Sequence, residues 1–242
     1  MSARHRPLII LLAGLLSPTV IAADDDPAIT LANVEWPPFT SHQLTDDGYI
    51  SRRVTDAFAI SGVQVRYVFL PWKRALEETR DGRFAGTLVW AHTEDRDRDF
   101  LYSDPILVSR YVLFYNRNRP VHWEHLQDLH GLTIGGVLGA TPTGEYGDLI
   151  NAGVFKREVS ASDELNLRKL AAGHLDAAAI ELEVGQYLLA NEDKDIADQV
   201  GYDPKSVVVV PDYLLISKKT SHGEELMHRF NQGLAALPAN KP

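Results

Sequence analysis

The sequence predicts an α/β protein with largely parallel sheets, divided into two lobes. Segments with strand character and segments with helix character alternate along most of the chain, as in sheets covered by helices. Two stretches, RALEETRDGRFAGTLV and LRKLAAGHLDAAAI, also share one plan: an amphipathic helix, a glycine stop and a strand. The glycines that end these helices are Gly82 and Gly173. We therefore expect one lobe of similar construction in each half.

The individual elements follow from hydrophobic periodicity and from turn residues. Strands are predicted where short apolar or alternating runs lie between turn signals, at residues 28–34, 63–70, 86–91, 110–116, 131–137, 175–180, 206–211 and 213–219. Helices are predicted where apolar residues recur at helical spacing, at residues 52–62, 72–82, 163–173, 183–192 and 223–237.

Residues 1–23 have the layout of a secretory signal peptide. A basic start with Arg4 and Arg6 precedes the apolar run PLIILLAGLL. Small residues and then an acidic DDD follow this run. This run is too short to span a bilayer of about 30 Å. No cysteine follows it, so a lipoprotein anchor is excluded. We expect cleavage after Ala23, with Ala22 as the alternative, and a periplasmic location.

The net charge limits the kinds of partner, and the absence of cysteine limits how the fold can be stabilised. The chain of 242 residues has a formal net charge of −9. Removal of residues 1–23 takes away two arginines and no acid, so the remaining 219 residues carry −11. An acidic surface argues against nucleic acid or an anionic membrane as partner. Because there are no cysteines, the exported domain must be held together without disulfides.

Four motifs give the chain a recognisable family pattern. They are EWPPFTS at residues 35–41, TEDRDRDFLYSDP at 93–105, LTIGGVLGATPT at 132–143 and LAAGHLDAAAIE at 170–181. In order and spacing, the chain resembles the bacterial periplasmic solute-binding proteins of family 3, which include amino-acid receptors of ABC transporters. The resemblance implies a two-lobed periplasmic binding protein fold (type II), with two mixed, mostly parallel sheets joined by a two-strand hinge.

The resemblance also implies domain bounds. The first hinge crossing is expected near residues 107–110 and the return near 211–213. Lobe 1 would then comprise residues 24–108 and 213–242, and lobe 2 residues 109–212. A ligand would bind between the lobes, where the carboxyl ends of parallel strands converge.

Arg96 is the first candidate for a ligand contact. It matches the family arginine that clamps the carboxylate of the ligand, and a guanidinium can hold a carboxylate through two parallel hydrogen bonds. The alternative is a solvated charge run in which Asp95, Asp97 and Asp99 pair with the arginines. We favour the clamp for Arg96 and the charge run for Arg98.

Other candidates follow from the same motifs. Trp36 and Trp72 match family positions at which an aromatic or apolar side chain lies against the ligand. Ordinary packing is the alternative for both tryptophans. For Phe39 we favour packing. Gly139 and Thr141 would lie near the start of a lobe-2 helix, whose free N–H groups favour an anion. Glu181 matches the acid that meets the ammonium group of the ligand, but a helix-capping acid is an equal alternative.

The chain departs from the family pattern at two places. A short polar residue is usual before the arginine, yet the strand here reads LVWAH, so Val89 and Ala91 would form an apolar wall. The usual aspartate after the lobe-1 glycine is Ala85. The pocket is therefore expected to be bulkier and less polar than is typical.

These observations predict a monomeric binding protein for a small polar solute, an amino acid or related carboxylate. No cofactor and no metal are expected; His122, His125 and His130 lack a ligand-like spacing. Its partner would be an inner-membrane ABC permease or a sensor. The alternatives are an orphan sensor domain and a dehydratase-like enzyme, for which His92 and Glu181 are the only candidate acids or bases.

Export is directly testable. We expect the mature protein to begin at Asp24 or Ala23, since the first 23 residues combine a basic start, an apolar core and small residues. N-terminal sequencing of the protein from a periplasmic extract measures this. A sequence beginning at Met1 or Ser2 would contradict the prediction.

Overall fold

A computed structural model describes residues 28–140 and 142–238; the predicted signal peptide and Thr141 lie outside the described residues. The strands are β1 (Ala28–Asn33), β2 (Gln64–Phe69), β3 (Gly86–Ala91), β4 (Phe100–Asn116), β5 (Thr133–Val137), β6 (Lys156–Ser160), β7 (Ala177–Glu181) and β8 (Val200–Ser217). The helices are α1 (Tyr49–Ile60), α2 (Trp72–Arg80), α3 (Gly144–Asn151), α4 (Asp163–Ala171), α5 (Leu182–Asn191), α6 (Lys194–Ala197) and α7 (Gly223–Ala236).

The described strands form one sheet in the order β2-β1-β3-β8-β4-β7-β5-β6. Strand β1 pairs with β2 and β3 in parallel, and β5 pairs with β6 and β7 in parallel. The central pairs β3–β8, β8–β4 and β4–β7 are antiparallel. The first lobe is thus built around β1–β3, the second around β5–β7, and β4 and β8 run through both.

The two predicted sheets are therefore one continuous sheet. Strands β4 and β8 pair from Phe100 opposite Ser217 to Asn116 opposite Val200. The sequence predicts two strands around Pro211 because proline cannot donate a hydrogen bond. In the structure, β8 continues through Pro211, which lies opposite Val108, and the pairing register shifts at several points nearby. Such shifts bend a ladder without ending it.

Five of the seven helices in the described residues correspond to the predicted ranges, whereas α3 and α6 do not. The predictions for 72–82, 163–173, 183–192 and 223–237 match α2, α4, α5 and α7 within two residues at each end. Helix α1 begins three residues earlier than predicted, directly after Gly48. Position 48 requires glycine, because its φ is 94° and a side chain there would meet the Phe39 carbonyl oxygen at 2.5 Å.

Two apolar clusters hold the sheet and helices together. The larger one extends along the helices of both lobes and includes the contact of Phe58 on α1 with Phe230 on α7, whose ring centroids are 4.8 Å apart. The smaller one, around Leu113, Ile134 and Phe155, belongs to the second lobe. Across residues 28–140 and 142–238, no helix has the length and apolar character required to cross a membrane.

Candidate ligand-binding cleft

A cavity lies between the two lobes and contains about 930 Å³ of atom-free space, part of it open to solvent. Strands β4 and β8 supply its floor through Tyr111, Val208, Val210 and Asp212. The first lobe contributes Trp36, Trp72, Val89, Trp90, Ala91 and Arg96, and the second contributes Gly135, Gly136, Val137, Gly139, Ala140, Pro142, Thr143, Tyr146, Arg157, Asp163 and Ala179. Many of these residues follow the carboxyl ends of parallel strands, as expected for a binding site in an α/β fold.

The structure brings most of the predicted site residues together. The cavity is lined by Trp36, Trp72, Val89, Ala91, Arg96 and Gly139. Glu181 does not line it, and Thr141 is outside the described residues. The cavity is also lined by four residues that were not predicted as site residues: Trp90, Arg157, Asp163 and Asp212.

Arg96 and Arg98 occupy different environments although they lie two residues apart. Arg96 is only 6% exposed, its Nη1 donates to the Ala91 carbonyl oxygen at 2.7 Å, and its Cζ lies 4.9 Å from the Trp90 ring centroid. Burial lowers the pKa of Arg96, while its interaction with Tyr102 acts in the opposite direction. Arg98 is exposed and donates to Asp95 at 2.6 Å. A buried guanidinium at the cavity wall remains charged and can attract an anion.

Three tryptophans form a continuous apolar surface on the first-lobe side. The Trp36 and Trp72 rings meet edge to face at a centroid distance of 5.7 Å, and Trp72 meets Trp90 in the same way at 5.2 Å. Trp90 is held by a hydrogen bond from Nε1 to the Thr87 hydroxyl at 3.0 Å. Phe39 is fully buried behind Trp36, as packing predicts. The three indoles exclude water from one wall of the cavity.

A β-bulge explains why Val89, Trp90 and Ala91 all line the cavity. Side chains alternate between the two faces of a regular strand, so three successive residues cannot share one face. The register of β3 against β8 shifts between Thr87 and Trp90, and Val89 has φ of 60°. This backbone conformation is strained for a β-branched residue and costs about 1–3 kcal/mol. The strained bulge therefore shapes the cavity wall.

Asp212 brings a carboxyl group into the floor. It is 4% exposed, and its carboxylate accepts a short hydrogen bond from the hydroxyl of Ser109, which is fully buried. Burial raises the pKa of Asp212 to about 7, and the Ser109 hydrogen bond and Arg96 act against this rise. Asp212 could have been noticed in the sequence, because it is an acid between the apolar runs VVVV and YLL. Its direction toward the cavity depends on the strand register.

Glu181 is buried at the end of β7 and caps helix α5. Its carboxylate accepts from the Val184 N–H at 2.9 Å and from the Arg110 N–H at 3.4 Å. Burial raises the pKa of Glu181 to about 7. The geometry corresponds to the helix-capping alternative. His92, the other residue considered for an enzyme, also lies outside the cavity lining, and its Nε2 lies 2.9 Å from Oδ1 of Asp97.

Arg157 and Asp163 add one guanidinium and one carboxyl group on the second-lobe side. Arg157 Nη2 donates to the carbonyl oxygens of Val137 and Ala140, both at 3.0 Å. It packs across Gly136, where an added Cβ would lie 2.8 Å from its Nε. Asp163 begins α4, and burial raises its pKa to about 7. The cavity thus combines two guanidiniums with two carboxyls.

Metal binding has no support from the described residues. Within them, no group of three or more His, Cys, Asp or Glu side chains is arranged to hold a metal ion. His122, His125 and His130 are all exposed.

The stability of the protein without ligand is expected to fall as pH rises from about 5 to about 8. Asp163, Glu181 and Asp212 each have a folded pKa of about 7, above the value of about 4 for unfolded carboxyls, so the folded state retains protons that the unfolded state loses. Carboxyls with a lowered pKa, such as Glu192 beside Arg168, titrate below this range.

Urea denaturation at about pH 5 and about pH 8 measures the difference in the free energy of unfolding. Asp212 alone should contribute on the order of a few kcal/mol to this difference. The Asp212→Asn variant should show a smaller difference than the wild type, because one of the three groups no longer titrates. Equal differences for the two proteins would contradict this account.

This chain resembles known proteins in its fold only. No family model and no curated protein sequence matches the chain. A solved histidine kinase sensor domain with similarity to periplasmic binding proteins has a TM-score of 0.74 at 19% identity, covering 88% of this chain and 91% of that chain. An ancestral arginine-binding protein bound to arginine has a TM-score of 0.70 at 17% identity, with 86% and 91% covered. The GluR0 ligand-binding core from Nostoc punctiforme, in complex with L-glutamate, has a TM-score of 0.66 at 16% identity, with 86% and 92% covered.

These neighbours are binding proteins and a sensor domain rather than enzymes. Their low sequence identity limits the likeness to the fold. The chain has the two-lobed α/β fold of the periplasmic binding proteins, as its resemblance to the family 3 solute-binding proteins implied.

Proposed function

We propose that this protein is a non-catalytic receptor of the periplasm that binds a small solute bearing a carboxylate, an amino acid or a related acid, between its lobes. It acts as a monomer and delivers the ligand to an ABC permease or to a sensor. The observation that carries the proposal is the position of Arg96, a buried guanidinium at the wall of the interlobe cavity. A carboxylate is the planar anion that matches its paired donors.

The tryptophans support a ligand that also has an apolar or flat portion. Trp36 and Trp90 are 6% and 3% exposed, and Trp72 is half-buried beside them. A ligand carboxylate at Arg96 would lie close to these rings, because the Arg96 guanidinium lies over Trp90. Burial of ring faces by the ligand contributes about 25 cal/mol per Å² of apolar surface.

The binding motion we propose is a hinge closure of lobe 1 (24–108 and 213–242) on lobe 2 (109–212). Two places where the lobes approach each other support it. The Tyr49 hydroxyl on α1 donates to Glu183 Oε2 on α5 at 3.3 Å. At Gly139, an added Cβ would lie 3.6 Å from the Cβ of Trp72, so the two lobes also approach each other there.

Delivery of the ligand to a permease and delivery to a sensor would both begin with this binding step. The sensor-domain neighbour favours sensing as the second candidate, and its chain is covered to 91%. A dehydratase-like enzyme would need an acid or base in the cavity that acts on the ligand. The two residues considered for that role, His92 and Glu181, do not line the cavity, but Asp163 and Asp212 do, so analysis of each hit for chemical conversion decides between binding and catalysis.

A thermal-shift screen of amino acids, polyamines, sugars and aromatic acids tests the proposal. A true ligand binds the folded protein only, so at one hundred times its dissociation constant it should stabilise the fold by about 2.7 kcal/mol. Small-angle scattering should show a smaller radius of gyration with ligand. If no compound in the screen stabilises the protein, or if a hit is chemically converted, the proposal fails.

Arg96 and Arg98 provide a matched pair of variants. Arg96→Ala should weaken binding of the ligand from the screen by about 2–5 kcal/mol, because a charged partner is lost in a desolvated cleft. Arg96→Lys should also weaken binding, since lysine cannot form the planar two-bond contact. Calorimetric titration measures both changes.

Arg98→Ala is the control. Its ion pair with Asp95 is exposed on both sides and is worth at most about 1 kcal/mol. Equal losses for Arg96→Ala and Arg98→Ala, or full binding by Arg96→Ala, would refute the carboxylate clamp.

A further inference from the structure

Arg157, on strand β6, lines the cavity from the second lobe and lies against the neighbouring strand β5. Its Nη2 donates to the carbonyl oxygens of Val137 and Ala140, both at 3.0 Å. An added Cβ at Gly136 would lie 2.8 Å from Nε and 3.2 Å from Nη2 of this arginine, so glycine leaves the space that the guanidinium occupies. Within the described part of the chain, Nε and Nη1 have no hydrogen-bond partner. These two nitrogens can therefore donate to a ligand.

Arg157 also has no carboxylate partner among the described residues, unlike Arg119 of the same lobe, which pairs with Asp176 at 3.0 Å. Burial lowers the pKa of Arg157, and its interaction with Tyr146 acts in the opposite direction. A guanidinium nevertheless remains charged in a protein. A buried charge without a counter-ion has lost hydration that no partner replaces, so an anionic group of a ligand would stabilise it.

Tyr146, on helix α3, brings a second donor to the same cavity. The residue is 5% exposed, its ring packs on Phe155 at a centroid distance of 5.2 Å, and it interacts electrostatically with Arg157. Buried tyrosine hydroxyls usually have a hydrogen-bond partner. None occurs for this hydroxyl in the part of the chain that the structure describes. A hydroxyl donor and a guanidinium thus lie near each other on the second-lobe wall.

We propose that Arg157 and Tyr146 form a second anion site of the cavity, and that the ligand is a dicarboxylate with one carboxylate at Arg96 and the other at this pair. This inference rests on the proposed function, in which Arg96 binds a carboxylate. A guanidinium matches a carboxylate through parallel donors, and a tyrosine hydroxyl can donate to the same group. Neither an ammonium group nor an apolar group of a ligand would compensate the charge of Arg157.

The two anion sites belong to different lobes. Arg96 precedes β4 in the first lobe, whereas Arg157 and Tyr146 lie on β6 and α3 of the second. A dicarboxylate that occupies both sites connects the lobes directly, and it can do so only when the lobes are close together. A ligand shifts a conformational equilibrium by the difference in its affinity for the two states. A dicarboxylate should therefore favour the closed form more than a monocarboxylate does.

The carboxyls of Asp163 and Asp212 in the same cavity are compatible with a dianion at slightly acidic pH. Burial raises the pKa of each to about 7, so both are mainly protonated at about pH 6. A protonated carboxyl can donate a hydrogen bond to an anion. The carboxyls of a free ligand titrate at about pH 4 to 5 and are mainly ionised at the same pH. Binding is therefore best measured at about pH 6.

Calorimetric titration of the wild-type mature protein with matched pairs of ligands tests the second site. Each pair consists of a diacid and its monoamide, which has nearly the same size and lacks the second charge: succinate and succinamate, glutarate and glutaramate, aspartate and asparagine, glutamate and glutamine. At least one diacid should bind about tenfold or more tightly than its monoamide, because a hydrogen bond to a charged group contributes more than a neutral one. Small-angle scattering should show a smaller radius of gyration with that diacid than with its monoamide.

Two variants locate this preference. Arg157→Gln removes the guanidinium, and Tyr146→Phe removes only a hydroxyl. Both should reduce the ratio of diacid to monoamide affinity, Arg157→Gln to about one, while monoamide binding changes little. Arg119→Gln is the control, because Arg119 is a second-lobe arginine outside the cavity lining, and it should retain the wild-type ratio. The ratio is the decisive quantity, since a variant that merely disturbs the turn after β5 weakens both members of a pair equally.

The outcomes separate this inference from the proposed function. Wild-type protein that binds no compound of these pairs and none of the thermal-shift screen would overturn both. Equal binding of diacid and monoamide in every pair, or binding of other carboxylates but of no diacid, would overturn the inference alone and leave Arg96 as a carboxylate site. An unchanged ratio in Arg157→Gln, or an equal loss of both members, would also overturn it. The comparison of ligands needs no variant, so it remains decisive if a variant fails to fold.

Discussion

The antiparallel pairing of β4 with β8 organises both lobes. It extends from Phe100 and Ser217 at one end to Asn116 and Val200 at the other. Each lobe attaches its parallel strands to this pair, the first through β3 on β8 and the second through β7 on β4. Register shifts within the pair allow it to bend, so the carboxyl ends of the two sets of parallel strands face each other across one cavity.

This arrangement also accounts for the buried charges of the cleft. An isolated ionised group in a protein interior loses several kcal/mol of hydration, and only partners with suitable geometry compensate it. Arg96 has the Ala91 carbonyl and the Trp90 ring, and Asp212 has the Ser109 hydroxyl. These partners come from the strands of the hinge or from strands next to it. The same backbone that joins the lobes therefore holds the groups that would recognise a ligand.

The aromatic wall depends on a local distortion of that framework. In a regular strand, Trp90 would point away from the cavity if Val89 and Ala91 pointed into it. The bulge with Val89 at φ of 60° directs all three to the cleft. Strain of this kind persists where the surrounding packing enforces it, and both Val89 and Trp90 are buried. The packing around the bulge thus maintains the shape of the wall.

The α/β class, the two helices that stop just before Gly82 and Gly173, and the motif that sets Arg96 apart from Arg98 are predictable from the order of the amino acids. These features are local: hydrophobic period, glycine stops and motif spacing lie within short segments. The continuity of the sheet, the capping role of Glu181 and the position of Asp212 at the cleft depend on contacts between segments that are distant along the chain. Ser109 and Asp212 are 103 residues apart, and their contact depends on the register of β4 against β8. A shift of one residue would turn Asp212 to the opposite face, and no local pattern specifies that register.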